Sequence, residues 1–111
     1  MSETEKIIAD LQMQNQQLQT IMIQKQTLVL QNREIEKALE ELETSGEDVY
    51  KQVGPILVKS TKEELKKELG EKKEENDLKV NMMAKQEEKV KEKMIEGQEK
   101  IRSLHKPPHG G

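Results

Sequence analysis

The sequence contains no cysteine, no tryptophan and no phenylalanine, and Tyr50 is its only tyrosine. Without cysteine there are no disulfides and no thiolate chemistry, a composition compatible with a reducing compartment. Aromatic rings contribute most to a compact core, and here they are almost absent. Only 32% of the 111 residues are hydrophobic, against a usual ~45–50%, so a thick globular interior is hard to build. No apolar run approaches the ~18 residues that span a bilayer. The N-terminus, MSETEK, lacks the basic-then-apolar order of a signal peptide. An excess of one charge is missing too: 19 basic and 22 acidic residues leave a net charge of -3. Acidic residues interrupt every run of lysines, which argues against the basic stripe of a nucleic-acid binder. The expectation is one soluble, cytoplasmic domain with no membrane and no nucleic-acid partner.

Low hydrophobicity permits disorder, but the chain has little net charge and a long apolar period. From Glu3 to about Glu43 there is no Gly and no Pro, and residues that favour helix dominate. A heptad frame fits this stretch without slipping. One seam position falls at Ile7, Gln14, Ile21, Leu28, Ile35 and Leu42, the other at Thr4, Leu11, Leu18, Lys25, Asn32 and Leu39. Eight of these twelve are aliphatic, which predicts a coiled-coil helix over residues 3–43.

The pattern then breaks. Thr44-Ser45-Gly46-Glu47-Asp48 stops the helix. Two short runs of β-formers follow, Val49-Tyr50-Lys51-Gln52-Val53 and Ile56-Leu57-Val58-Lys59-Ser60, separated by Gly54-Pro55. They predict a β-hairpin over residues 49–60 with Pro55 in the turn, the turn type left open. Thr61 and Glu64 have the spacing of a capping box at the head of a second helix over residues 62–104. Its seam reads Leu69, Asn76, Met83, Val90, Gly97 and Leu104 at one position, and Lys66, Lys73, Val80, Glu87, Met94 and Ile101 at the other. Seven of these twelve are aliphatic or Met, a weaker pattern. Gly70 and Gly97 each cost roughly 1 kcal/mol relative to Ala in a helix interior. The Pro- and Gly-containing tail, residues 105–111, is expected to be flexible. His105 and His109 are four apart, but Pro107-Pro108 between them removes the helical geometry that metal ligation would need.

The fold class is therefore mainly α: an antiparallel two-helix coiled-coil hairpin with a β-hairpin at the bend. Pairing residue i with residue 108 minus i sets Leu39 against Leu69, Leu28 against Val80, Leu18 against Val90 and Leu11 against Gly97. It also sets Asn32 against Asn76, a polar pair of the kind that fixes register. One layer is poor, Ile21 against Glu87. A lone β-hairpin is marginal in water and has open edges. Val49, Tyr50, Val53, Ile56, Leu57 and Val58 would have little local cover, so the hairpins of several subunits are expected to form a shared barrel. The fold-back of the hairpin onto its own helices is the alternative.

The stretch Val49-Tyr50-Lys51-Gln52-Val53-Gly54-Pro55-Ile56-Leu57-Val58-Lys59 resembles the V-Y-K-x-[VI]-G-x-[VIL]-L-V-K hairpin of prefoldin beta-type subunits, of the archaeal beta or eukaryotic subunit-6-like kind. Arg33-Glu34-Ile35-Glu36-Lys37-Ala38-Leu39-Glu40-Glu41-Leu42 looks like the end of that family's first helix. The resemblance covers roughly residues 8–104. A single hairpin looks like the beta type, since alpha-type subunits carry two. The resemblance implies a hexamer of two alpha-type and four beta-type subunits, a double barrel of hairpins bearing six coiled coils. It implies an ATP-independent chaperone that captures unfolded client proteins at the coiled-coil tips and passes them to a group II chaperonin. Val49 to Lys59, with Gly54 in the turn, would be the assembly segment. No cofactor is implied.

The residues suggest where clients would bind. Ile8, Met13, Met22, Ile23, Val29 and Leu30 lie off the seam of the first helix. Between Leu11 and Asn32 the only charge is Lys25, and glutamine is the commonest polar residue. Neutral amides cost less to desolvate than charges, and Met adapts to varied partners. The expected client surface comprises Ile8, Leu11, Met13, Leu18, Met22 and Ile23, with Met94, Ile95, Ile101 and Leu104 opposite. No phosphate loop, nucleophile triad or metal cluster is present, and nothing buries the carboxylates in a cleft to tune them, so no enzymatic activity is expected. The competing reading is a coiled-coil scaffold or tethering subunit with one fixed partner.

Overall fold

The computed structural model of the chain describes residues 2–105. Helix α1 spans Glu3–Thr44, strand β1 Val49–Val53, strand β2 Ile56–Ser60 and helix α2 Lys62–Leu104. Most of the expected tail, residues 106–111 with His109, lies outside the described residues. Two compact units are present. A terminal unit draws on Met1–Lys25 and Met82–Gly111, and a hairpin unit comprises Gln26–Asn81.

Local chemistry sets the helix ends. At the start of α1 the Ser2 hydroxyl oxygen accepts the Glu5 N–H at 3.2 Å and the Ser2 carbonyl accepts the Lys6 N–H at 3.1 Å, an N-cap. At its end the Thr44 hydroxyl donates to the Glu41 carbonyl at 3.3 Å and the Ser45 hydroxyl to the Leu42 carbonyl at 3.1 Å. These hydroxyls occupy carbonyls that have no helical partner. Helix α2 starts with the Glu64 N–H donating to Thr61 Oγ1 at 3.1 Å. Only half of the expected capping box forms, because the Glu64 carboxylate accepts the Ser60 hydroxyl at 3.2 Å instead.

In the hairpin unit, β1 and β2 pair antiparallel from Val49↔Ser60 to Val53↔Ile56. That register leaves Gly54-Pro55 as a two-residue turn. Gly54 has φ +58°, whereas the pyrrolidine ring holds Pro55 near -65°. Positive then negative φ defines a type II′ turn, whose twist suits paired strands and whose first central position favours glycine. The buried apolar side chains are Ile35, Leu42 and Val49. Leu39, Leu69, Lys73 and Val80 are half-buried at expected seam positions. One seam position differs. Leu65 is half-buried and Lys66 exposed, because Leu65 lines a hollow with Leu42 and Val49 while the Lys66 ammonium reaches Glu43 at 2.7 Å.

In the terminal unit, half-burial recurs at Thr4, Ile7, Leu11, Gln14, Leu18, Ile21 and Lys25 on α1. On α2 it recurs at Met83, Glu87, Val90, Met94, Gly97 and Ile101. This is the heptad frame read from the sequence, and the helices run antiparallel in that register. A Cβ built on Gly97 would lie 3.0 Å from Leu11 Cδ2 and 3.6 Å from Ile7 Cγ2, so the missing side chain makes room for Leu11. Leu104 departs from the expected seam and is exposed. The last cross-helix contact is instead polar, with the Thr4 hydroxyl 3.2 Å from His105 Nε2.

The two helical glycines differ in surroundings, since a Cβ on Gly70 would meet nothing within 4 Å. Gly70→Ala is expected to stabilise the chain by about 1 kcal/mol through helix propensity alone. Gly97→Ala should gain clearly less, because Leu11 must move. Thermal melts followed by circular dichroism check this, and equal gains would mean that Leu11 is not confined.

Candidate functional site

The polar groups inside each unit fix which faces are left for function. In the hairpin unit Asn76 is fully buried. Its Nδ2 donates to Asn32 Oδ1 at 3.0 Å and to Gln31 Oε1 at 3.4 Å, while Asn32 Nδ2 donates to Asp77 Oδ1 at 2.8 Å. Asp77 can only accept when ionised, so it orients Asn32, and Asn32 in turn orients Asn76. That chain of demands leaves Asn76 Oδ1 as a buried acceptor without a protein donor. Sliding the helices would strand further amides at the cost of about 1–3 kcal/mol each. Two ion pairs hold the same register, Glu36–Lys73 at 3.3 Å and Glu43–Lys66 at 2.7 Å. The Lys66 hydrogen bond holds the Glu43 carboxyl below its ordinary pKa. Lys51 on β1 meets Glu68 on α2 at 2.7 Å.

Beyond Val49, the hairpin is open. Tyr50, Val53, Ile56, Leu57 and Val58 are all exposed, Leu57 to 70%. The register places Val49, Lys51, Val53, Ile56 and Val58 on one face, with Tyr50, Gln52, Leu57 and Lys59 on the other. Exposed apolar side chains therefore occur on both faces. Neither strand has a neighbour on its outer edge within this two-stranded sheet. At its base an open hollow of about 380 Å³ is lined by Leu42, Val49, Tyr50, Leu65 and Leu69 among others.

In the terminal unit, Glu87 takes the seam position that looked poorly matched. Its carboxylate accepts Lys25 Nζ at 2.9 Å and Lys91 Nζ at 3.3 Å. The Lys25 hydrogen bond leads in lowering the Glu87 pKa; desolvation opposes it, and Lys91 adds to the lowering. The signal was legible: Lys25 is the lone charge of its stretch and Glu87 the lone acid of the α2 seam. Around this seam, Ile8, Met13, Met22, Ile23, Ile95 and Leu104 are exposed, whereas Leu11, Leu18, Met94 and Ile101 are half-buried within it. The ten expected client residues thus divide into six on the surface and four that hold the helices together. Sequence reading missed Met82 here and Leu78 in the hairpin unit, both more than 60% exposed. Leu78 is flanked by Asp77 and Lys79, and Met82 adjoins the seam residue Met83, although the heptad frame places both off the seam. Among the described residues no group of His, Asp and Glu could hold a metal ion, and no helix is long and apolar enough to cross a membrane.

Two long helices meeting along a heptad seam, with an exposed β-hairpin between them in sequence, define the class of coiled-coil hairpin proteins with a small sheet at the bend. Known proteins share this arrangement and its sequence. The family model described as prefoldin subunit matches residues 5–106. Prefoldin subunit beta of Archaeoglobus fulgidus is 40% identical over 97% of this chain and 95% of its own length. That of Pyrococcus horikoshii is 39% identical over 98% and 95%. The crystal structure of the prefoldin beta subunit from Thermococcus strain KS-1 superposes with a TM-score of 0.87 at 37% identity, covering 97% of this chain and 96% of that one. The chain belongs to the prefoldin family.

The lowered pKa values of Glu43 and Glu87 carry a pH dependence with a definite sign. Each ion pair contributes fully above the ordinary carboxylate value of 4.5 and is lost as pH falls through the lowered folded-state value. Melting temperature is expected to drop below about pH 4.5. Glu43→Gln/Glu87→Gln should melt lower at neutral pH and lose less on acidification. Parallel acid slopes in the variant and the parent would refute the assignment.

Proposed function

We propose that this chain is a beta-type subunit of an ATP-independent holding chaperone, assembling through its β-hairpin and capturing unfolded chains on the terminal unit. Membership of the prefoldin family supports the chaperone reading. The observation that carries the division of labour is the split in exposed apolar surface. One set lies on a hairpin with two unpaired edges, and the other on helices whose α1 stretch from Leu11 to Asn32 carries a single charge. Holding a non-native chain needs apolar contact and a tolerant surface rather than a reacting group.

Assembly rests on Tyr50, Val53, Ile56, Leu57 and Val58, with Val49 anchoring the strand and Gly54 setting the turn. Fully burying a Val, Leu or Ile side chain is worth about 1.5–3 kcal/mol, and edge pairing removes an aggregation hazard. The partners are alpha-type subunits and further beta-type copies, in a complex of two alpha and four beta chains. Clients meet Ile8, Met13, Met22, Ile23, Ile95 and Leu104 on the surface. Leu11, Leu18, Met94 and Ile101 serve this surface from the seam. Release is to a group II chaperonin, in the cytoplasm.

Two variants separate the roles, both assayed by aggregation of a denatured protein without nucleotide and by light scattering after chromatography. Replacing Ile8, Met13, Met22 and Ile23 with Ser should abolish suppression of aggregation and leave the assembled mass unchanged. Leu57→Asp should dissociate the complex with an alpha-type partner and leave the helical signal intact. Full suppression by the serine variant would place client capture elsewhere.

A further inference from the structure

The terminal unit carries a groove of about 580 Å³, within the size range of clefts that seat small ligands. Its apolar surface comes from Met13 and Ile21 of α1 and Val90 of α2. Gln16, Gln17 and Gln86 place neutral amides beside it, and Lys89 and Lys93 complete the α2 wall. No acidic side chain lines it, although the whole chain has 22 acidic residues and a net charge of -3. Neither lysine is held in an ion pair among the described residues. Lys91 between them is bound to Glu87, so the two ammonium groups on this wall are the uncommitted ones. Four residues apart on a helix, they lie about one turn from each other on one face.

Resting on the client-capture reading, we propose that this groove selects extended, unfolded polypeptide segments in which apolar residues are flanked by aspartate or glutamate. An apolar side chain sits against Met13, Ile21 and Val90. The glutamine amides both donate and accept, so they match the unpaired N–H and C=O groups of an extended backbone without demanding a sequence. Lys89 and Lys93 attract carboxylates on either side of the apolar residue. The specificity is electrostatic and graded, because exposed ion pairs are weak and screened by salt. Basic-flanked segments meet two like charges and are disfavoured.

The test uses the chain assembled with an alpha-type partner and two fluorescently labelled peptides that share one apolar core, flanked by Asp in one and by Lys in the other. Fluorescence anisotropy at low salt should give about tenfold tighter binding of the Asp-flanked peptide, with the difference collapsing at high salt. Lys89→Glu/Lys93→Glu should reverse the order of the two peptides while helicity and assembled mass stay unchanged. Met13→Ser should weaken both alike. Equal binding, no binding of either peptide, or an unchanged order in the charge-reversed variant overturns the inference. Aggregation suppression is measured on the same preparations. Suppression that persists when the peptide order fails removes the groove and leaves the holding role, whereas its absence from the unaltered complex removes the holding role itself.

Discussion

Within each unit the helices bury a seam only one side chain deep, and nearly everything else depends on how narrow that interior is. Among the described residues only Ile35, Leu42 and Val49 are buried apolar side chains, all in the hairpin unit. The terminal unit is held by half-buried residues throughout. A chain with so few large apolar residues cannot surround them on all sides, so packing is linear and each layer touches few others. Polar layers then have a large say. Asn32–Asn76 contributes little attraction but makes every other register costly, because buried amides without partners are penalised. Lys25 and Glu87 act similarly in the terminal unit, where each charge would be stranded if it faced an apolar neighbour.

The same narrowness explains why so much apolar surface is left over. A seam takes about two positions in seven, and any apolar residue elsewhere stays in water unless another chain covers it. In the hairpin this residue set is concentrated on a small sheet with free edges, a surface suited to pairing with strands of like kind. On the terminal unit it is dispersed among glutamines, with methionine prominent, a surface suited to many loosely specified contacts. One deficit of core material thus leaves two exposed apolar surfaces of different character, one on a sheet with free edges and one scattered along helices. Prefoldin beta relatives of nearly equal length share the fold across almost the whole chain. The arrangement is therefore a family solution rather than an accident of this sequence.

Glycine shows how one residue type serves opposed ends. At Gly54 the backbone needs positive φ, and the following proline then fixes the turn as type II′. At Gly97 the backbone is ordinary helix, and what matters is the space left to Leu11. Gly70 has neither reason, and nothing in its surroundings explains it. Hydroxyls rather than a left-handed glycine close α1, since Thr44 and Ser45 bond to its last carbonyls, so Gly46 is free to serve the connector.

Much was legible without coordinates. The heptad frame named the buried and half-buried positions from Thr4 to Leu42 except Ala9 and Ala38, because burial along a helix follows a period set by backbone geometry alone. The β-hairpin and its turn were legible because Gly-Pro and β-branched residues restrict the backbone locally, and the Asn32–Asn76 register because both amides sit at seam positions. Several matters needed the tertiary structure, each for lack of a local cause. Leu65 replaced Lys66 at the half-buried position because it shares a hollow with Leu42 and with Val49 of the strand, while Glu43 offered the lysine a charge. Lys25 reached Glu87, and Asp77 oriented the amide pair, because side chains far apart in sequence came within hydrogen-bond range. The expected client residues separated into surface and seam for the same reason: apolar character is written in one residue, but exposure depends on what stands opposite it.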